Sequence, residues 1–339
     1  MFTFILDDLA FAEEVFKGDY TPTSVTDPTL AVVYGLYART YLWLGGFEDG
    51  LNGELPEGNA AYQKAAEYAR LAINEFGGAI LSEAEWTNPS TGFNTKASSW
   101  MWGLFHSTDT VINNLYQFPA HLAPEADFGY GPLTCPGVSK LSYERLGNGD
   151  FRKRLIKGPE NSWENIAPVS LLTSEAEYNA FADYTFFKFR PGQGNRTEYK
   201  TAGAVALPLM RCEEMYFIEM EAKAHYSENE AWDLLFSFMA NRDTNYICKV
   251  QDIVDEIIFQ KGIEFWGEGL IMFDMKRLDM GINTAFKDTN YDPNRRFVSE
   301  GRVPWWTYCI PLSEIQVNTA LKGLNNPDPS MTLTNLGTN

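Results

Sequence analysis

The chain has 339 residues, of which 27 are Lys or Arg and 45 are Asp or Glu, for a formal net charge of −18. That balance excludes nucleic acid or an anionic lipid face as the main partner, because both demand clustered cations. With 45% apolar residues the chain can bury a sizeable core, and no apolar run approaches the roughly 18 residues that cross a bilayer.

The opening MFTFILDDLAFAEE has no basic n-region, and Asp7 and Asp8 interrupt its apolar stretch, so it does not read as a secretory signal. It reads as a helix, with Phe4, Leu9, Phe11 and Val15 apolar among acids. A second helix starts after Asp27 and Pro28 and repeats Leu30, Val33, Tyr34, Tyr37, Tyr41 and Leu44 at intervals of three and four. Gly45 and Gly46 end it. A third, NAAYQKAAEYARLAINEF, sets Tyr62, Ala65, Ala66, Ala69, Ile73 and Phe76 on one face. Two antiparallel helices with alanines in the seam have the pattern of a helical-repeat hairpin over residues 1–77.

Residues 78–207 are dense in turn and breaker residues and read as a long loop-rich excursion carrying short strands. SSWMWGLF and ADYTFFKF supply the strand-like aromatic content. An excursion of this length is either functional or a subdomain of its own. Trp100 and Trp102 share one strand face by period two, which predicts that this face is buried. The run FRKRLIK, with Arg152, Lys153, Arg154 and Lys157, is too short for a nucleic-acid face and reads as solvated surface.

Helices resume at Pro208, giving the pair PLMRCEEMYFIEMEAKAHYS and NEAWDLLFSFMANRDTNY and then the long segment DIVDEIIFQKGIEFWGEGLIMFDMKRLD. Gly262, Gly267 and Gly269 interrupt that last segment, and the tail is extended and punctuated by Pro. Residues 208–339 therefore read as a second helical-repeat region followed by a C-terminal block. The predicted fold class is mainly α: a tetratricopeptide-like helical-hairpin scaffold with a loop-rich excursion, the whole forming one domain over 1–339.

Few residues offer chemistry. Cys135, Cys212, Cys248 and Cys309 form no CxxC pair, and Cys212 and Cys248 fall in helical-looking stretches where a thiol is usually core. His106, His121 and His225 are isolated. Asp288, Asn290 and Asp292 begin like a calcium loop, but Pro293 and Ser299 stand where Gly and Glu are required. No cofactor or metal is expected. Glu264 and Glu268 stand four apart, which on a continuous helix puts their carboxylates about 6 Å from one another, within reach of a glycosidase pair. The alternative is structural, with Glu264, Glu268 and Asp274 anchoring a helix junction through backbone N–H groups, Lys276 or Arg277.

Aromatic residues, with 23 Phe, 17 Tyr and 9 Trp, outnumber the basic ones, and those in segments rich in Gly and Pro suggest a second use. A flat ring on a loop offers a dry face to the C–H side of a sugar at low rotamer-entropy cost. Trp86, Tyr130, Trp163, Trp305 and Trp306 are the stacking candidates, each with packing under a loop as its alternative. If the chain is extended at Trp305 and Trp306, the two rings point to opposite sides.

Three ordered blocks resemble the SusD/RagB family, the starch-utilisation-system D-like outer-membrane nutrient-binding lipoproteins of Bacteroidetes. PLMRCEEMYFIEMEAKA is similar to the family's P-x-x-R-x-x-E-M-Y helix at Pro208, Arg211, Glu214, Tyr216, Glu221 and Ala222. QKGIEFWGEGLIMFDMKRL resembles its central block at Glu264, Glu268, Gly269, Phe273, Asp274 and Arg277, with Gly262 and Leu270-Ile271 as departures. IPLSEIQVNTALKGLNNPD resembles the closing block at Ile310, Pro311, Glu314, Asn318, Asn326 and Pro327. The resemblance implies a non-catalytic glycan- or oligosaccharide-capturing protein that covers a SusC-like TonB-dependent transporter, outward-facing at the outer membrane. It also implies that this chain matches only the C-terminal two-thirds or so of the family fold, without the lipoprotein signal and lipidated Cys. The acidic balance fits a surface that handles neutral sugars, and the three blocks become structural joints. The rival readings are an all-α glycoside hydrolase and a helical-repeat scaffold that binds protein.

Overall fold

A computed structural model of the chain describes residues 1–24, 26–46, 55–111, 118–127, 136–306 and 308–325. The chain divides into two compact units, Met1–Glu268 and Gly269–Asn339. The division therefore falls within residues 208–339, inside the segment DIVDEIIFQKGIEFWGEGLIMFDMKRLD. No described helix is long and apolar enough to cross a membrane.

In the first unit six helices set the frame: α1 (Phe2–Lys17), α2 (Leu30–Gly45), α3 (Gly58–Phe76), α4 (Cys212–Ala224), α5 (Glu228–Met239) and α6 (Ile253–Glu264). Strands β1 (Trp100–Leu104) and β2 (Leu207–Arg211) pair antiparallel. The α2–α3 hairpin forms as its periodicity predicts. Ala61, Ala65, Ala69 and Ala72 are fully buried on α3, and these small side chains let α2 and α4 approach it closely. Gly45 lies under the Tyr62 ring, where a Cβ would collide with the aromatic carbons. The α3 helix stops at Gly77, whose φ of +92° a side chain would strain, and the N–H of Gly78 reaches back to the Ile73 carbonyl at 2.9 Å. The core of this scaffold runs from Leu9 of α1 through α2 and α3 to Met210, Met215 and Ile218. On α1 only Leu9 is buried, whereas Phe4 and Phe11 are about 70% exposed.

The excursion carries a second core of its own, formed by residues that include Trp86, Trp100, Phe151, Leu155, Phe186 and Phe189. Rings from segments full of turns pack there against one another, as in the edge contact of Trp86 with Phe93 at 4.6 Å. The ADYTFFKF segment forms isolated bridges at Thr185 and Phe186 and no named strand. In β1 the expected alternation fails. Trp100 and Met101 are both buried and Trp102 is half-buried, because the register slips on either side of Trp102.

Two helices end earlier than their sequences suggest. The α5 helix stops at Met239, since the Arg242 guanidinium turns inward to Glu264, and Cys248 lies outside it. The α6 helix keeps Gly262 within it and ends at Glu264; positive φ at Gly267 (+77°) and Gly269 (+84°) then turns the chain. Cys212 begins α4 fully buried, and that burial, with the Glu213 carboxylate beside it, pushes its thiol up to about 12. Iodoacetamide near pH 8 should therefore leave the Cys212 peptide unmodified in the folded chain and alkylate it after denaturation. Peptide mapping that finds Cys212 labelled under native conditions would contradict its placement. Cys135 lies outside the described residues.

In the second unit α7 (Ile271–Arg277) is followed by a bridge between Asn283 and Val298, a short turn at Pro304–Trp306 and a helix at Leu312–Val317. Arg277 donates to Asp274 at 2.9 Å and Lys276 to the Trp306 carbonyl at 3.0 Å, so the final charges of α7 are used internally. Asn326 and Pro327 lie outside the described residues.

Candidate functional site

The positions that the sequence singles out for chemistry lie in a buried ionic cluster of the first unit. Glu264 is wholly enclosed and accepts from three guanidinium groups: Arg152 at 3.1 Å, Arg242 at 3.0 Å to each oxygen, and Arg211 at 3.4 Å. Glu268 accepts from Lys188 at 2.6 Å and from Arg211 at 2.9 and 3.0 Å. Arg152 also holds Asp150 at 2.6 Å and Gln260 at 2.5 Å, and Arg211 stands 2.9 Å from Glu213. Four cations (Arg152, Lys188, Arg211 and Arg242) thus face four carboxylates (Asp150, Glu213, Glu264 and Glu268), and the cluster is neutral as a whole. Glu256, Gln260 and Glu264 recur every fourth residue, so α6 turns a polar stripe inward.

Glu264 and Glu268 do not share a continuous helix, because α6 ends between them. Both carboxylates are consumed by cations, which makes the pair a joint. The expectation of a solvated FRKRLIK surface fails at Arg152, at 0% exposure, and at Lys153, at 7%. Their partners lie far off in sequence, 112 residues away for the Arg152–Glu264 pair, which no local pattern reveals.

The joint shapes an opening beside it. The N–H of Phe151 donates to the Arg242 carbonyl at 3.1 Å, which pins the loop from Leu146 to Leu155 against the end of α5. A cleft of about 540 Å³ results, between that loop, the 243–249 segment and α6. Lys153 lies over the Tyr143 ring at 4.5 Å and is bound by Asn148 at 2.7 Å, Glu160 at 3.0 Å and the Leu146 carbonyl at 3.3 Å. Asp243 is pressed between Gly147 and Gly149, at both of which a Cβ would collide with its carboxylate. One Asp243 oxygen accepts the Asn245 N–H at 2.9 Å, and its other oxygen has no hydrogen-bond partner among the described residues. On the far wall Glu256 accepts from Arg145 at 2.6 Å and from the Tyr246 hydroxyl at 2.8 Å. Burial, reinforced by that carboxylate, holds the Tyr246 phenol far above its ordinary value, so it stays a donor. Among the described residues no cluster of His, Cys, Asp and Glu has the arrangement of a metal site.

The stacking candidates scatter. Trp86 is fully buried in the second core between Phe93 and Phe151, with no face open to a ligand. Tyr130 lies outside the described residues. Trp163 is half-buried, 6.1 Å from the Tyr178 ring. In the second unit Trp306 is 9% exposed, whereas Trp305 is half-buried and meets Phe297 edge-on at 5.3 Å. Sequence reading passed over a different row: Trp232 and Phe236 stack on α5 at 5.8 Å, and Phe236 meets Tyr246 of the cleft at 5.8 Å. The spacing of four between Trp232 and Phe236 was the available signal.

This architecture, mainly α with a helical-hairpin frame and, among the described residues, one two-stranded sheet, is the SusD-like fold. One similar solved structure is a SusD-like carbohydrate binding protein from Bacteroides vulgatus, at 19% identity and a TM-score of 0.65 over 92% of this chain and 63% of that one. Another, a SusD superfamily protein from Bacteroides thetaiotaomicron, gives 20% identity and a TM-score of 0.66 over 94% and 64%. A third is surface glycan-binding protein A from Bacteroides thetaiotaomicron in complex with laminarihexaose, at 17% identity and a TM-score of 0.51 over 81% and 61%. The chain thus spans just under two thirds of the length of the first two. No protein-family model and no curated protein matches it.

Proposed function

We propose that this chain belongs to the SusD/RagB family and captures glycans at the cell surface without turning them over. In this reading it passes its ligand to a SusC-like TonB-dependent transporter and is held at the outer membrane by a lipid anchor. The observation that supports the proposal is the SusD-like fold coinciding with the ordered sequence blocks, the first two of which meet as one joint through Arg211, Glu264 and Glu268. The complex of surface glycan-binding protein A with laminarihexaose supports sugar as the ligand class. Trp163 and Trp305, each in its own unit and half-buried, remain proposed stacking rings.

A panel of soluble polysaccharides tests the proposal by calorimetry and by the release of reducing ends. The expected result is sub-millimolar affinity for at least one polymer with no accumulation of new ends. Steady release with turnover would assign the chain to hydrolysis, and silence across the panel would leave the protein-binding scaffold.

A further inference from the structure

We infer that the exposed aromatic row of α5 and the cleft beside Asp243 form one binding site for a neutral oligosaccharide. This deepens the glycan-capture reading and rests on it. Phe236 is 46% exposed on a helix that buries Leu235, Phe238 and Met239. Its ring stacks on Trp232 at an interplanar angle of 28°, and the row continues through Tyr246 into the cleft. The three rings, 5.8 Å apart in turn, form an aromatic patch with Phe236 as its exposed member, against which the apolar side of a sugar ring can pack.

Polar groups stand where such a chain would enter. Asp243 is 5% exposed and spends only one carboxylate oxygen on the protein, so its second oxygen can accept from a sugar hydroxyl. Asn245, beside it, is exposed and supplies an amide to the same wall. The two glycines pressed against Asp243 fix the carboxylate, which limits the ordering cost on binding. Apolar faces with a few convergent polar groups are the usual composition of a small-molecule site.

Charge selects among sugars. Of the cations lining the cleft, Arg145 is committed to Asp255 and Glu256 and Lys153 to Glu160, whereas the exposed Lys249 donates only to the Arg145 carbonyl. The lining carboxylate without a cation among the described residues is Asp243, 5% exposed, and it repels a uronate or sulfate at the wall where a sugar would bind.

The test is calorimetry on the full chain with laminarihexaose, maltohexaose, xylohexaose and hexagalacturonate as probes. Wild type should bind at least one neutral hexasaccharide and bind hexagalacturonate about tenfold more weakly or not at all. Phe236→Ala, at an exposed position that the fold does not need, should weaken the neutral ligand about tenfold, and Asp243→Asn should weaken it comparably. Glu67→Gln, which touches only an exposed ion pair on α3, should leave that affinity unchanged. Intact affinity in Phe236→Ala would assign the row to protein contact and overturn the site while leaving glycan capture standing. Loss confined to Trp163→Ala would move the site elsewhere and would likewise leave glycan capture standing. Equal or tighter binding of hexagalacturonate would overturn the neutral-sugar assignment. Absence of binding by wild type to every probe would overturn the site together with the reading beneath it.

Discussion

Glu264→Gln should lower the free energy of unfolding by about 3–5 kcal/mol, the range for removing one partner of a buried ion pair. The substitution keeps the shape and an acceptor oxygen, so packing changes little and the loss is electrostatic. Three guanidinium groups converge on this one carboxylate, and without it the cluster holds four cations against three carboxylates at positions closed to water. Burial by itself would raise the Glu264 pKa, but Arg242, Arg211 and Arg152 outweigh it and hold the group well below the usual carboxylate range. A carboxylate depressed in this way adds stability above the unfolded value of about 4.3, and that stability is lost as pH falls through the folded value. Urea unfolding across pH should therefore show a shallower acid dependence for Glu264→Gln than for wild type. Glu67→Gln, which touches only the exposed pair with Lys64, serves as the control, with an expected change within about 0.5 kcal/mol. Equal losses in the two variants would mean that the joint contributes nothing specific.

A neutral cluster of this size also accounts for why its sequence blocks are more legible than any binding residue. Each member is fixed by several others, so a charge reversal at one position leaves a buried ion without a partner. The Glu264–Glu268 spacing invited a catalytic reading, and the break at Gly267 removes the continuous helix on which it depended. What the two glutamates do instead is tie the loop at Arg152, strand β2 at Arg211 and the chain just past α5 at Arg242 to one point.

The helical hairpin was legible because Tyr34, Tyr37 and Tyr41 on one helix and the alanines of the next carry their partner preferences locally, at three and four residues. The ionic joint was half legible. Its acids stood out, whereas Arg152 and Lys153 looked like surface because their neighbours in sequence are charged and polar. The aromatic candidates failed to separate by composition. Trp86 and Trp163 both come from turn-rich segments, yet one fills the second core and the other reaches solvent, a choice set by which ring meets Phe93 and Phe151. Phe236 shows the converse: amid Leu235, Phe238 and Met239 it has the sequence of a core residue, yet it stands on the outward face of α5, 46% exposed, beside Tyr246. Asp243 had no sequence signal, since its setting depends on two glycines about a hundred residues upstream.

Lys188→Met should change how stability varies above neutral pH, and in a direction opposite to that of most lysines. The Lys188 ammonium is wholly buried, donates to the Glu264 and Trp266 carbonyls at 2.9 and 2.8 Å, and shares its single close carboxylate, Glu268, with Arg211. Burial dominates, Glu268 opposes it and Arg211 adds to it, so the pKa is lowered to about 8. An unfolded lysine titrates near 10.4, so between about 8 and 10.4 the unfolded chain holds a proton that the folded chain has released. Stability from this group therefore rises with pH across that window, by up to about 3 kcal/mol, and is flat below it. Cys212 works against this trend. Its folded thiol is pushed up to about 12 while an unfolded one titrates near 8.5, so its contribution falls over much of the same range. The quantity to measure is consequently the difference between wild type and Lys188→Met in urea-unfolding free energy, in which the Cys212 contribution cancels. Near pH 7 the variant should be less stable by about 1–3 kcal/mol, because two buried carbonyls lose their donor. From pH 7.5 to 10.5 that gap should widen by up to about 3 kcal/mol as wild type sheds the buried charge. Parallel pH profiles would show that Lys188 keeps an ordinary affinity for its proton, and that Glu268 alone compensates its burial.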